Sequence, residues 1–251
     1  MKYAIVTGVS KGLGYSVAKL LLEKEIHVIG ISRSEASGLN QLAEENNVTF
    51  QQFQCDLGDV EAVEETCSKI KNQWSNGISA LYLVNNAAVI DPVDQAMNTK
   101  SSELAYHVQV NTIAPMVMTN LFLKEASSKE FSFIGATVTS GAAERPISGW
   151  SAYCSTKASI NMYTQTVAIE QDERRTGNKV FAFSPGIMDT GMQEKIRAAS
   201  PEEFTDVETF KSYKEDKALK DTDTVGGVLV DILTNEANLE NGKIYKVKDF
   251  L

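Results

Sequence analysis

The amino-acid sequence predicts an α/β protein, a doubly wound parallel sheet of seven strands with helices on both faces. Three observations predict it. Short β-branched runs alternate with longer helical patterns, the runs are apolar on nearly every residue, and a glycine-rich stretch joins the first run to the first helical pattern. Such alternation needs crossover connections, which make successive strands parallel. Strands apolar toward both sides suit a sheet covered by helices on both faces.

The strand runs are Tyr3 to Val6, His27 to Ser32, Thr49 to Gln54, Ala80 to Asn85, Phe131 to Gly135, Val180 to Ser184 and Ile244 to Val247. Between them, helical patterns cover Tyr15 to Lys24, Val60 to Trp74, Leu104 to Ala126 and Tyr153 to Arg174. With five prolines and no repeat or low-complexity tract, residues 1–251 are expected to form a single domain. One segment departs from the rhythm. From Met188 to Thr222 the chain is charged, with helical patches at Gln193 to Ala199 and Val207 to Lys217. A segment this long reads either as a lid over a site or as a surface insertion.

Composition narrows the function classes. A chain of 251 residues with 43% apolar and 23% charged residues can bury a sizeable core. The 24 basic against 33 acidic residues give a net charge of -9, which repels a nucleic-acid backbone or an anionic membrane. Neither is expected as a partner. The three cysteines lack CxxC spacing and cannot all pair, which fits a reducing, cytoplasmic compartment. Met1-Lys2-Tyr3 runs straight into an apolar strand, with no targeting pattern or apolar span expected.

Thr7-Gly8-Val9-Ser10-Lys11-Gly12-Leu13-Gly14 follows the first strand and opens the first helix. Glycines at 8, 12 and 14 allow a tight turn that brings backbone N–H groups and a helix N-terminus to a pyrophosphate. The second strand ends Ile31-Ser32-Arg33, with no carboxylate where an NAD site would accept the ribose 2′-hydroxyl. Arg33, with Lys11, suits the 2′-phosphate of NADP(H) instead, while nearby Glu35 leaves NAD open.

Tyr153 and Lys157 lie four residues apart, on one face of a helix. A free phenol near pKa 10 is a poor general base near neutrality, so a fixed ammonium would be needed to favour the phenolate. Chance pairs with this spacing are common, and the surrounding residues decide. Ser140 stands 13 positions earlier, beyond the fifth strand, where its hydroxyl could meet a reacting carbonyl. Asn111 sits in the apolar stretch Val108-Gln109-Val110-Asn111-Thr112-Ile113, where a buried amide needs either a role or a water partner.

These motifs together resemble the short-chain dehydrogenase/reductase family over essentially the whole chain. The glycine loop, Asp56-Leu57, Asn85-Asn86-Ala87-Ala88, Asn111, Ser140, Tyr153, Lys157 and Pro185-Gly186 with Thr190 occur in family order. The resemblance implies a Rossmann-type fold, assembly as a homodimer or homotetramer through helix faces such as Leu104 to Ala126 and Tyr153 to Arg174, and hydride transfer from nicotinamide to a carbonyl. In that mechanism Tyr153 protonates the oxygen and Ser140 polarises it. Lys157 holds the nicotinamide ribose and lowers the tyrosine pKa, and Asn111 supports a water. Asp56 and Leu57 would contact adenine, Asn86 and Ala87 would lie near the adenosine ribose, and Pro185, Gly186, Ile187 and Thr190 would line the nicotinamide end. Ala88 replaces the glycine usual after Asn-Asn-Ala.

The continuation Asp189-Thr190-Gly191-Met192-Gln193 resembles the sepiapterin-reductase branch, whose bacterial members include the benzil reductases. Pterin enzymes of that branch carry an acid where Gly191 stands. Its lack favours a neutral aromatic 1,2-diketone, with a pterin as the alternative. Trp150 and Met192 fit either as walls of that pocket or as core residues. Tyr163, Phe122 and Met118 read as helix packing.

Rival classes find less support. A serine hydrolase would need a nucleophile elbow with a histidine, and His27 and His107 accompany none. Two distant histidines and scattered cysteines give no metal-ligand spacing. A non-catalytic NADP sensor would keep the fold but has no need of Tyr153, Lys157 and Ser140.

Overall fold

The computed structural model describes residues 1–74 and 77–251. Strand and helix alternate: β1 (Lys2–Thr7), α1 (Gly12–Glu23), β2 (His27–Ser32), α2 (Leu39–Glu45), β3 (Phe50–Gln54), α3 (Val60–Asn72) and β4 (Ala80–Asn85). Then come α4 (Ser101–Val108), α5 (Ala114–Lys129), β5 (Ser132–Val138), α6 (Ser151–Glu173) and β6 (Lys179–Ser184). The chain ends with α7 (Gly191–Arg197), α8 (Val207–Glu215), α9 (Thr222–Thr234) and β7 (Ile244–Lys246). All seven strands join one parallel sheet in the order β3-β2-β1-β4-β5-β6-β7. The order reverses between β1 and β4, which opens a crevice at the carboxyl ends of those strands, the place where such sheets hold ligands.

The central strands are buried throughout, as the runs of apolar residues predict. Ala4, Val6, Tyr82, Val84, Ile134, Ala136, Phe181 and Phe183 point to one face, under α1, α2 and α9. Ile5, Leu81, Leu83 and Phe133 point to the other, under α3, α5 and α6. Each fully buried Leu, Ile, Val or Phe side chain contributes roughly 1.5–3 kcal/mol, so this two-sided sheet is the main source of stability. The N-terminus of α3 is capped by Asp59, whose carboxylate accepts from the Glu61 and Ala62 N–H groups.

Two elements depart from the sequence expectation. The edge strand β3 reads FQQFQ and is only partly buried, because an edge strand has a single neighbour. Its glutamines still work: Gln52 donates to Ser32 Oγ at 2.8 Å and Ser34 O at 2.7 Å, and Gln54 donates to Arg33 O at 3.1 Å. They fix the turn that presents Arg33. The predicted helix from Leu104 to Ala126 is interrupted by a π-helical turn at Gln109–Ile113. Pro115 lacks the N–H that would bond the Asn111 carbonyl four residues back, and the Ala114 N–H instead reaches the Gln109 carbonyl.

Residues 188–222 contain α7 and α8, joined and flanked by turns. A parallel bridge between Met188 and Lys220 closes the base of the segment. Phe204 and Phe210 from this segment pack on Trp150, with ring centres 4.7 and 5.3 Å away. Among the described residues no helix is long and apolar enough to cross a membrane.

Candidate active site

A cavity of about 730 Å³ runs along the carboxyl edge of the sheet. It is lined by Gly8, Ser10, Lys11, Gly12 and Leu13 after β1, Arg33 after β2, and Asp56 and Leu57 after β3. Asn86 and Ala87 follow β4, Ser140 follows β5, and Pro185, Gly186, Ile187 and Thr190 follow β6. Tyr153, Lys157, Trp150 and Met192 complete the wall. Two expected site residues, Gly14 and Asn111, lie behind this wall.

The glycine loop is folded backbone onto backbone. A Cβ on Gly14 would stand 2.3 Å from the Gly8 carbonyl oxygen, and one on Gly8, at φ +76°, would stand 2.8 Å from Asn86 Nδ2. Gly14 therefore permits the loop to close. Asn86 Nδ2 donates to Thr7 O at 2.9 Å, while Thr7 Oγ1 accepts from the Asn86 and Ala87 N–H groups at 3.0 and 2.9 Å. These bonds pin β4 to β1 at the switch point. No side chain caps α1, so its first-turn N–H groups are free for an anion at the end of the helix dipole. This cradle fits the pyrophosphate of a nicotinamide dinucleotide.

At one end of the cradle Arg33 Nη1 donates to Tyr106 Oη at 3.0 Å, and Tyr106 donates to Asp56 Oδ1 at 2.9 Å. Tyr106 has no sequence signal, because the partners it joins lie 50 and 73 positions away. The Lys11 ammonium leans toward the other end, 3.6 Å from where a Cβ on Gly191 would sit.

At the far end Tyr153 occupies the first turn of α6 and is buried, with its ring centre 5.3 Å from that of Trp150. Burial pushes its phenol up to about 12, and the Ser140 hydroxyl opposes that rise. Lys157, one turn on, donates from Nζ to the Val138 carbonyl at 2.9 Å, and burial lowers its ammonium to about 8. Burial is the largest influence on both groups. Ser140 Oγ accepts from the Ala142 N–H at 3.2 Å, and its hydroxyl lines the cavity beside the Tyr153 phenol.

Asn111 is fully engaged. Its Oδ1 accepts from the Val89 N–H at 2.9 Å, and its Nδ2 donates to Val89 O at 2.8 Å. Nδ2 also lies 2.9 Å from Nε2 of the buried His107, so protein groups satisfy the buried amide. The sequence carried a signal for this, since His107 stands four residues before Asn111 and so on the same helix face. Trp150 takes both of its expected places. It is buried against Phe204 and also lines the cavity. Met192 is half-buried beside it. Phe122 and Met118 are buried in the core, and Tyr163 packs against it while its hydroxyl donates to Asn120 Oδ1 at 2.8 Å.

The reversed parallel sheet, the glycine cradle and the Ser-Tyr-Lys cluster define an oxidoreductase of the open α/β type. The chain belongs to the short-chain dehydrogenase family, whose model matches residues 2–201. It is 36% identical over its full length, and that of the relative, to a benzil reductase ((S)-benzoin forming) of Bacillus subtilis. It is also 36% identical to a Bacillus cereus protein of the same name, over 99% of this chain and 100% of that one. The crystal structure of a short-chain dehydrogenase/reductase from Saccharomyces cerevisiae superposes with a TM-score of 0.82 at 26% identity, covering 98% of this chain and 96% of that one. The family uses NAD(P)H.

Proposed function

We propose that the protein is an NADPH-dependent carbonyl reductase acting on one carbonyl of an aromatic 1,2-diketone such as benzil. One observation carries the reading: the Ser140, Tyr153 and Lys157 cluster and the dinucleotide cradle open into the same cavity. Backbone groups of Gly8, Ser10, Gly12 and Leu13 would hold the pyrophosphate, and Arg33 the 2′-phosphate, while Lys11, expected to share that role, leans toward Gly191 instead. Asp56, Leu57, Asn86 and Ala87 would hold the adenosine. Tyr153, Lys157, Pro185, Gly186, Ile187 and Thr190 would hold the nicotinamide nucleoside.

The bound cofactor supplies hydride to the carbonyl carbon. Tyr153 gives its proton to the carbonyl oxygen, and with a pKa near 12 the phenol is fully protonated at neutral pH and ready to do so. Ser140 donates its hydroxyl proton in a hydrogen bond to the same oxygen, orienting it and stabilising its developing charge. Lys157, with a pKa near 8, is charged at neutrality yet close enough to titration to return a proton to Tyr153.

Trp150 and Met192, with Ile90 and Phe210, give the substrate end an apolar and aromatic lining that suits a neutral diaryl substrate. Gly191 offers no carboxylate for a cationic pterin edge. For assembly as a homodimer or homotetramer, the exposed Met162 and Ile169 of α6 mark a candidate contact face. The test of substrate class is NADPH consumption with benzil against sepiapterin. Benzil should be the faster substrate, and preference for sepiapterin would overturn the diketone reading.

A further inference from the structure

We propose that His107 is a positioning residue: a neutral imidazole, protonated on Nδ1, that holds the Asn111 amide and the first turn of α6 in fixed register. Three polar neighbours on three different segments surround the ring. Nδ1 lies 2.6 Å from the backbone carbonyl of Asp91, in the loop after β4. Nε2 lies 2.9 Å from Asn111 Nδ2 and 3.1 Å from Thr156 Oγ1. Thr156 Oγ1 also lies 3.0 and 3.1 Å from the carbonyls of Ala152 and Tyr153, and its single proton serves either these acceptors or Nε2. The ring also meets the Tyr153 ring edge-on, centres 6.2 Å apart. One buried side chain thus touches the turn that carries the phenol, the amide behind it and the loop beneath the substrate end.

The proton positions follow from the partners. A carbonyl oxygen only accepts, so Nδ1 must donate to Asp91. Asn111 is held between the N–H and the C=O of Val89, so its Oδ1 must face the former and its Nδ2 the latter. Its second amide proton therefore points at His107 Nε2, which must accept. A doubly protonated ring would set N–H against N–H. Relief by turning the Asn111 amide over would break both bonds to Val89. The Asp91 and Asn111 contacts are both satisfied only by the neutral ring.

The charged and titratable neighbours agree with that state. Burial lowers the His107 pKa, and the Lys157 ammonium on α6 lowers it further. The Asp91 carbonyl and carboxylate act in the opposite sense, but that carboxylate is already paired with Lys195 of α7. Tyr153 presents a neutral ring. The Asp91–Lys195 pair also joins the His107 network to the 188–222 segment that covers the substrate end.

The test rests on the carbonyl-reductase reading only for its rate measurements, so it has two arms. In the whole protein, imidazole nitrogen NMR should report a single Nδ1–H tautomer of His107 that stays neutral well below the ordinary histidine range near pH 6.5. An Nε2–H tautomer or an ordinary titration overturns the proposal whatever the substrate. In the second arm, His107→Phe keeps the ring shape but offers no acceptor, and kcat should fall about 10- to 100-fold with NADPH affinity unchanged. His107→Gln returns an acceptor and should recover most of that loss. It should also remove any fall in kcat on the acid side, because it cannot be protonated. Wild-type kcat and pH profile in His107→Phe, or equal losses of kcat in both variants, would make His107 a packing residue. A wild-type protein that turns over no carbonyl would instead overturn the functional reading and leave the NMR arm standing.

Discussion

The Nζ of Lys157 lies 5.7 Å from the centre of the Tyr153 ring and donates to the Val138 carbonyl at 2.9 Å, so α6 and the end of β5 share one buried ammonium beside the phenol. Both groups lose hydration, and the two are pushed toward their neutral forms from opposite directions, the phenol up to about 12 and the ammonium down to about 8. At neutral pH the phenol therefore keeps its proton, the state in which it can protonate a carbonyl oxygen.

Lys157→Met gives a stability prediction with a defined pH window. The folded pKa of Lys157 is about 8 against 10.5 ordinarily, so the folded state disfavours the ammonium by roughly 3 kcal/mol. This cost is absent above pH 10.5, grows as pH falls toward 8, and is constant below. The wild type should therefore gain stability relative to Lys157→Met as pH rises from 8 to 10.5, read as the difference between urea midpoints. A flat difference would show that Lys157 is not desolvated in this way.

Arg33→Ala should weaken NADPH binding about 10- to 100-fold, the loss expected for a charge-assisted contact, and leave NADH binding nearly unchanged. Isothermal titration with each cofactor measures it. An equal loss for both would mean that Arg33 acts only by holding Tyr106 against Asp56.

Gly191→Asp should fold normally. The nearest atom to an added Cβ is Lys11 Nζ at 3.6 Å, an ordinary contact, and the new carboxylate would pair with that ammonium for about 0.2–1 kcal/mol at an exposed site. The ratio of kcat/KM for sepiapterin over benzil should rise. An unchanged ratio would separate Gly191 from substrate choice.

Much of this architecture was legible because it depends on local patterns. Apolar runs separated by helical periods specify a wound sheet, and the carboxyl edge of such a sheet gathers Gly8, Arg33, Asn86, Ser140 and Pro185 from five different strand ends. What was illegible depends on single long-range contacts. Nothing near Tyr106 announces that it will sit between Arg33 and Asp56, and the partners of the β3 glutamines are not readable until the edge position of that predicted strand is known. His107 and the π turn lie between these cases. The spacing from His107 to Asn111 and the proline at 115 were both readable, but their meaning required knowing that Val89 and Asp91 lie opposite.

The most direct measurement is NADPH consumption with benzil by the wild type and by Tyr153→Phe at matched cofactor saturation. Wild type should convert benzil to its hydroxyketone with one NADPH oxidised per carbonyl reduced. The Phe variant should still bind NADPH, with affinity nearly unchanged because only one of several cofactor contacts is lost, and lose at least about 100-fold in kcat, the lower bound for removal of a general acid. Wild-type turnover by the Phe variant, or NADPH bound but never consumed by the wild type, would contradict the account.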